Sequence, residues 1–161
     1  MAALRTLADA GIGVRAILRD YREENVAKAF DNAKRAGVNA TIELGDAFSD
    51  AELGRRLVTP DLVIVSGLHE IVDDDQRVAL HFMQIARLLP SGGRLIVTVQ
   101  PNHPQVEFIA RVLTSHSGRP WAMRLRSVAL ISSWAQAGGF VIETVTMERH
   151  GIFGVLVARK V

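Results

Sequence analysis

A chain of 161 residues with 48% hydrophobic content is long enough for one domain around one core and too apolar to be disordered. The lack of cysteine excludes a disulfide framework and thiolate chemistry, and it fits a cytoplasmic setting. The net charge of +2 comes from scattered arginines, with Arg55-Arg56 and Arg124/Arg126 the densest sets, so no nucleic-acid partner is expected. No apolar run approaches the roughly 20 residues of a membrane span. Met1–Ala10 carries Arg5 and Asp9 and no apolar h-region, so no secretory signal is expected either.

Ala2–Ala10 is rich in helix formers, with Leu4, Leu7 and Ala8 facing one way, and Gly11 and Gly13 break it. Val14–Leu18 reads as the first strand, although one long helix over Val14–Ala36 also fits the stripe Val14, Ile17, Leu18 and Tyr21. Asn25–Ala36 reads as a helix with Val26, Ala29, Phe30 and Ala33 buried and Gly37 as its stop. Ala40–Leu44 is a second strand, and Ser49–Leu57 a short helix. Leu62–Val65 is an unbroken apolar run and Leu95–Val99 a second buried run, both bounded by turn residues, the pattern of strands covered on both faces. Between them Val78, Phe82, Ile85 and Leu89 recur at helical spacing, and Pro90-Ser91-Gly92-Gly93 ends that helix. Pro104–Leu113 reads as a helix with Val106, Ile109, Ala110 and Leu113 on one face, and Ser115–Arg126 as a loop. Ser127 is placed to cap a helix burying Val128, Ile131, Trp134 and Ala135, closed by Gly138-Gly139. Phe140–Met147 and Ile152–Ala158 form an antiparallel pair at the sheet edge. The alternation predicts a single α/β domain with a mostly parallel sheet.

In such sheets ligands lie beyond the carboxyl ends of the strands, which directs attention to four segments. Asp20 ends the first strand, where a carboxylate can accept from a ribose diol, or it is a solvated turn residue. Tyr21 beside it either covers a flat ring or packs. Asp46, in Gly45-Asp46-Ala47-Phe48, either takes an amino proton or caps the helix near Ser49. In Ser66-Gly67-Leu68-His69-Glu70, Gly67 permits close backbone approach, and His69 and Glu70 are acid/base candidates. His69 is otherwise a rim histidine, and Glu70 the start of the following helix. His103, between Pro101 and Pro104 in the segment ending at Gln105, is a candidate base. No second histidine lies at helical ligand spacing, so metal binding is disfavoured. Gly11-Ile12-Gly13-Val14-Arg15-Ala16 matches a dinucleotide fingerprint, but a helix precedes it and a strand follows, the reverse of what the motif needs.

Leu18–Asp20, Gly45–Phe48, Pro60–Gly67, Leu88–Gln100 and the C-terminal hairpin together resemble Rossmann-like class I methyltransferases that use S-adenosylmethionine. More narrowly, VSGLHEI, QPNHPQVEFIARVLTSH and Gly151–Phe153 resemble a bacterial methyltransferase family whose members are sometimes fused behind an α/β-hydrolase domain. The resemblance implies that Asp20 binds the cofactor ribose and Asp46 with Ala47 its adenine, with Tyr21 a further cofactor contact. It implies that Ser66 and Gly67 line the transfer cleft, that Glu70 and His103 serve catalysis, and that His69 and Gln105 face a small-molecule acceptor. Position 69 is more often aromatic in that family.

The usual first central strand and its glycine-rich loop have no counterpart, and Met1–Ala10 looks like the end of the helix that should follow them. The expectation is therefore an N-terminally truncated domain with the superfamily's strand order 3-2-1-4-5-7-6 interrupted. The strands on either side of the gap should either pair directly or leave a groove. A missing N-terminal segment or fused hydrolase domain is the expected protein partner. Two other functions compete with methyl transfer to a small-molecule or lipid-like acceptor: a non-catalytic accessory module using exposed strand edges, and a nicotinamide-dependent oxidoreductase.

Overall fold

The computed structural model describes residues 2–53, 58–114, 118, 120, 121 and 123–161. They form two compact units, Met1–Arg55 and Arg56–Val161, each with its own sheet.

The first unit opens with helix α1, Ala2–Asp9, which adds no strand to a sheet. Gly11 (φ 73°) turns the chain out of it, so the fingerprint-like Gly11–Ala16 is a helix stop leading into an extended segment. Strand β1 is Ala16–Asp20, two residues later than the reading from apolar content. Helix α2, Glu23–Ala36, ends at Gly37, which takes the left-handed conformation (φ 61°) that only glycine adopts cheaply. Strand β2, Ala40–Leu44, pairs with β1 in parallel, Asp20 opposite Leu44, and the short helix α3, Asp50–Leu53, follows. The rest of the expected Ser49–Leu57 helix lies outside the described residues. This unit's core is thin: Ala33 and Leu53 are its buried apolar side chains. Phe30, expected inside, is 60% exposed, because no described element covers its side of α2.

The second unit holds strands β3 (Leu62–Val65), β4 (Arg94–Val99), β5 (Phe140–Met147) and β6 (Gly154–Lys160) in the order β3-β4-β6-β5. β3 and β4 are parallel, while β6 runs antiparallel to both β4 and β5, as the C-terminal hairpin requires. Helix α4, Asp75–Leu88, makes the crossover. Asp74 caps it by accepting from the amides of Gln76 (2.9 Å) and Arg77 (3.1 Å). Ser127 caps α6, Val128–Ala137, through the amide of Leu130 (3.1 Å).

The core is the expected α4 stripe of Val78, Phe82, Ile85 and Leu89, packed with Ile131 and Ala135 of α6 against Leu95, Val97, Val99, Leu156 and Ala158. These strand residues alternate in sequence, so they share one sheet face. The other face is open. Ile64 is 62% exposed, and Leu62, Val141 and Val155 are exposed with it. β3 is thus covered on one face only, and on β4 the second face, Ile96 and Thr98, is half-buried, which corrects the two-faced reading of their apolar runs. Helix α5, Val106–Val112, has no fully buried residue; Val106, Ile109 and Ala110 form its half-buried side, and Leu113 is exposed just past its end.

Phe82 is fully buried at the centre of this core, so Phe82→Ala should lower unfolding free energy by about 3–5 kcal/mol, read as a falling urea midpoint at unchanged m-value.

Candidate functional site

Two clusters of polar side chains stand at carboxyl ends of parallel strands, one in each unit. In the first, Asp20 closes β1 and Asp46 lies two residues beyond β2. The Asp20 carboxylate is half-buried and accepts from Arg22 N (2.9 Å) on one oxygen and from Asn25 Nδ2 (3.0 Å) on the other. Its carbonyl accepts from Gly45 N (3.0 Å), which ties the two strand ends together. Asp46 accepts from Phe48 N (2.9 Å), while its own amide donates to Glu52 Oε2 (3.0 Å). Each carboxylate oxygen has two lone pairs, so the turn bonds of Asp20 leave it capacity for a ligand. Tyr21 is 56% exposed beside Asp20, and Ala47 is half-buried beside Asp46.

In the second unit, Ser66 and Gly67 leave β3 exposed to solvent. Gly67 turns with φ 71°, and a Cβ placed on it would meet no other atom within 4 Å. Its amide donates to Thr98 Oγ1 (2.9 Å), and that hydroxyl donates to Glu70 Oε1 (2.8 Å). Glu70 sits in a 3-10 turn, His69–Ile71, not at the start of α4. It is buried, as is Gln100 just past β4. Glu70 Oε2, Gln100 Nε2 and His69 Nδ1 are buried with no hydrogen-bond partner.

The turn is held from outside. Arg126, 4% exposed, donates to the carbonyls of His69 (2.5 Å) and Val72 (2.7 Å) and to Asp75 Oδ1 (2.9 Å). Its guanidinium also lies 5.8 Å from the Trp134 ring centre. The amides of Arg124 and Arg126 donate to the carbonyls of Glu70 (2.8 Å) and Gln100 (3.1 Å). The Arg124 side chain, and after it Arg126, hold the Asp75 carboxyl below its usual range. The expected loop before α6 is therefore, over its described residues 123–126, a brace for both strand ends.

His69 is 2% exposed, so it is a core residue and not a rim histidine. Its Nε2 and Nδ1 of His81 share a hydrogen bond (2.9 Å), and its ring packs against Phe82. Burial, then His81, then Arg126 push its pKa down to about 3. His81 was legible as a member of the buried α4 face, three residues after Val78 and four before Ile85, but its pairing with His69 was not. His103 is half-buried, and its Nδ1 accepts from the amide of the exposed Gln105 (3.2 Å). Among the described residues no group of three metal-ligating side chains comes together. No helix there is long and apolar enough to cross a membrane.

Residues 2–160 match the model of a family described as "Putative methyltransferase". The chain belongs to this methyltransferase family. It is 41% identical over 145 residues to the Escherichia coli (strain K12) "Uncharacterized protein YnbC", covering 88% of this chain and 25% of that protein. The chain thus spans a quarter of the length of that curated relative. Among solved structures, a SAM-dependent methyltransferase from Methanosarcina mazei matches with a TM-score of 0.73 at 17% identity, covering 97% of this chain and 86% of that one. Magnesium protoporphyrin IX methyltransferase from Synechocystis PCC 6803, solved with bound SAH, matches with a TM-score of 0.71 at 20% identity, covering 98% and 68%. At such identities these likenesses establish the fold: a Rossmann-like α/β arrangement with parallel strands and an antiparallel C-terminal pair.

Two outcomes test this methyltransferase-family site. Because the His69 pKa is lower in the native state, the unfolded chain binds a proton that the native chain does not between about pH 6.5 and 3. Stability should be full above pH 6.5 and fall as pH drops through that window, and His69→Gln should flatten the dependence in urea midpoints taken from pH 7 to 4.5. The Asp75 contribution, from a carboxyl depressed below 3.8, should fade only at lower pH. Arg126→Met takes a donor from two carbonyls and leaves Asp75 with Arg124 alone, and should cost about 2–4 kcal/mol by urea unfolding.

Proposed function

We propose that this chain is a methyltransferase domain that binds S-adenosylmethionine and acts on a small-molecule acceptor. The observation that carries the proposal is the placement of two carboxylates, Asp20 and Asp46, at the carboxyl ends of adjacent parallel strands joined by the Gly45–Asp20 hydrogen bond. Carboxylates at strand ends, as hydrogen-bond acceptors, fit the hydroxyls of a ribose and the amino group of an adenine. Family membership supports the same reading, as does the SAH-bound structure of a fold relative.

In this proposal Asp20 and Tyr21 hold the ribose side, and Asp46 and Ala47 hold the adenine. Ser66 and Gly67 leave room at the end of β3 for the reacting group. The cofactor would supply an electrophilic methyl group on sulfonium sulfur. The chain's own residues supply proximity and orientation, the larger part of such catalysis. Glu70 and His103 are the proposed acid/base groups, and Gln105 a proposed acceptor contact. His69, with its ring buried against His81, acts from behind by fixing the turn that presents Glu70. A single methyltransferase domain is also part of the proposal, supported by a family match that runs through both units. So is a partner segment or fused hydrolase domain, for which the greater length of YnbC leaves room in that protein.

The second reading, a binding module, has one observation in its favour, the open apolar face around Ile64. Thermal unfolding with S-adenosylhomocysteine separates the two. At 100 times its dissociation constant the ligand should stabilise the chain by about 2.7 kcal/mol, and Asp20→Asn and Asp46→Asn should each weaken the shift. No shift at any concentration overturns the methyltransferase proposal and favours the binding module.

A further inference from the structure

Two of the buried polar atoms without a partner, Glu70 Oε2 and Gln100 Nε2, are of opposite kind. One is an acceptor on a carboxylate, the other an amide nitrogen with two hydrogens to give. Their residues are 6% and 2% exposed. A fold with no use for them would do better with apolar side chains of the same shape, since a buried group that makes no bond is costly.

Three links bring the two residues to the same end of the sheet. The second Glu70 oxygen is anchored by Thr98 Oγ1 at 2.8 Å. Thr98 and Gln100 are one two-residue step apart, roughly 7 Å in extended chain, and follow the same side of the backbone. The amides of Arg124 and Arg126, also two residues apart, bond the carbonyls of Glu70 and Gln100. Anchoring Oε1 fixes the carboxylate plane and leaves Oε2 committed to nothing inside the protein.

We infer that Glu70 and Gln100 form an acceptor–donor pair that binds a small molecule carrying an O–H or N–H donor beside a second oxygen. The inference rests on the proposed placement of Glu70 on the acceptor side and adds Gln100, which the sequence did not single out. The donor of the ligand bonds Glu70 Oε2, and its neighbouring oxygen accepts from Gln100 Nε2. A ligand with only acceptors, such as a carboxylate or a diether, meets the Glu70 charge and is rejected. A ligand with a single hydroxyl satisfies one side and leaves the other unpaired.

Catechol presents the required pattern, 1,2-dimethoxybenzene only its acceptors, and phenol only one hydroxyl. Each is titrated into the full chain with ¹⁵N-labelled glutamine, following the Gln100 side-chain NH₂ signals and saturation transfer to the ring protons. Catechol should shift the Gln100 signals saturably and bind at least tenfold more tightly than either control. Glu70→Gln, which keeps the Thr98 contact, and Gln100→Met should each weaken it tenfold or more. The urea midpoint of Gln100→Met should hold or rise, because no hydrogen bond is lost.

No saturable catechol binding, equal binding in either variant, or a destabilised Gln100→Met would overturn the pair. The same titrations with S-adenosylhomocysteine present separate this inference from the methyltransferase reading. Catechol binding through the pair in a chain that never binds S-adenosylhomocysteine upholds the pair and sinks that reading. Binding of S-adenosylhomocysteine without catechol sinks the pair alone.

Discussion

Arg126 fixes the geometry on which the second unit's site depends. Three carbonyl or carboxylate groups, on His69, Val72 and Asp75, converge on one buried guanidinium, and the backbone of the same residue grips Gln100. Planar, forked donors suit such a task; a lysine offers one charge point and would reach fewer of these acceptors. The charge is compensated by Asp75 and lies near the face of Trp134, so it is not stranded in the interior. With the turn His69–Ile71 held there, the Glu70 side chain can be aimed by one further bond, from Thr98. Remove the guanidinium and the turn loses its side-chain anchor, while the Arg126 amide still holds Gln100.

The same cation bears on the chemistry of its neighbour. His69 is kept neutral by burial first, with His81 and Arg126 adding to the effect. A neutral imidazole bonded to another imidazole is a rigid packing element, not a proton carrier at physiological pH. His69, one of the acid/base candidates in the sequence, is a wall behind the turn that carries Glu70.

What was legible in the sequence follows from range. The α4 stripe, the Ser127 cap, the Gly37 stop and the limits of β5 depend on residues a few positions apart, and all appear as read. Asp20 and Asp46 were legible as strand ends because a strand's exit is marked locally, by Arg19-Asp20 and by Gly45. Burial was less legible, because it depends on what another element covers. Phe30 fits an amphipathic face yet stays exposed, and Leu62 and Ile64 belong to an apolar run whose second side is open. Arg126 was invisible for the same reason. Nothing in residues 115–126 announces that a guanidinium there will meet carbonyls more than fifty positions earlier. Gln100 carried a faint signal, a polar residue continuing the Ile96–Thr98 side of β4 at its carboxyl end.

The one-sided core explains how the second unit tolerates unpaired polar atoms. Its apolar residues from α4, α6, β4 and β6 pack on a single sheet face, and the buried stripe ends at Val99. Glu70 and Gln100 lie just beyond that stripe, where side chains leave the core side and backbone pairing stops. Stability is gathered on one side of the sheet and along the middle of the strands. The carboxyl ends are thereby free to hold groups whose bonds are completed by something other than the fold. A polar orphan in the middle of β4 would compete with the packing of Phe82 and Leu156, whereas at the strand's exit its desolvation cost is not added to a disrupted core. This separation puts Glu70 and Gln100 at the ends of β3 and β4 and outside the packed stripe.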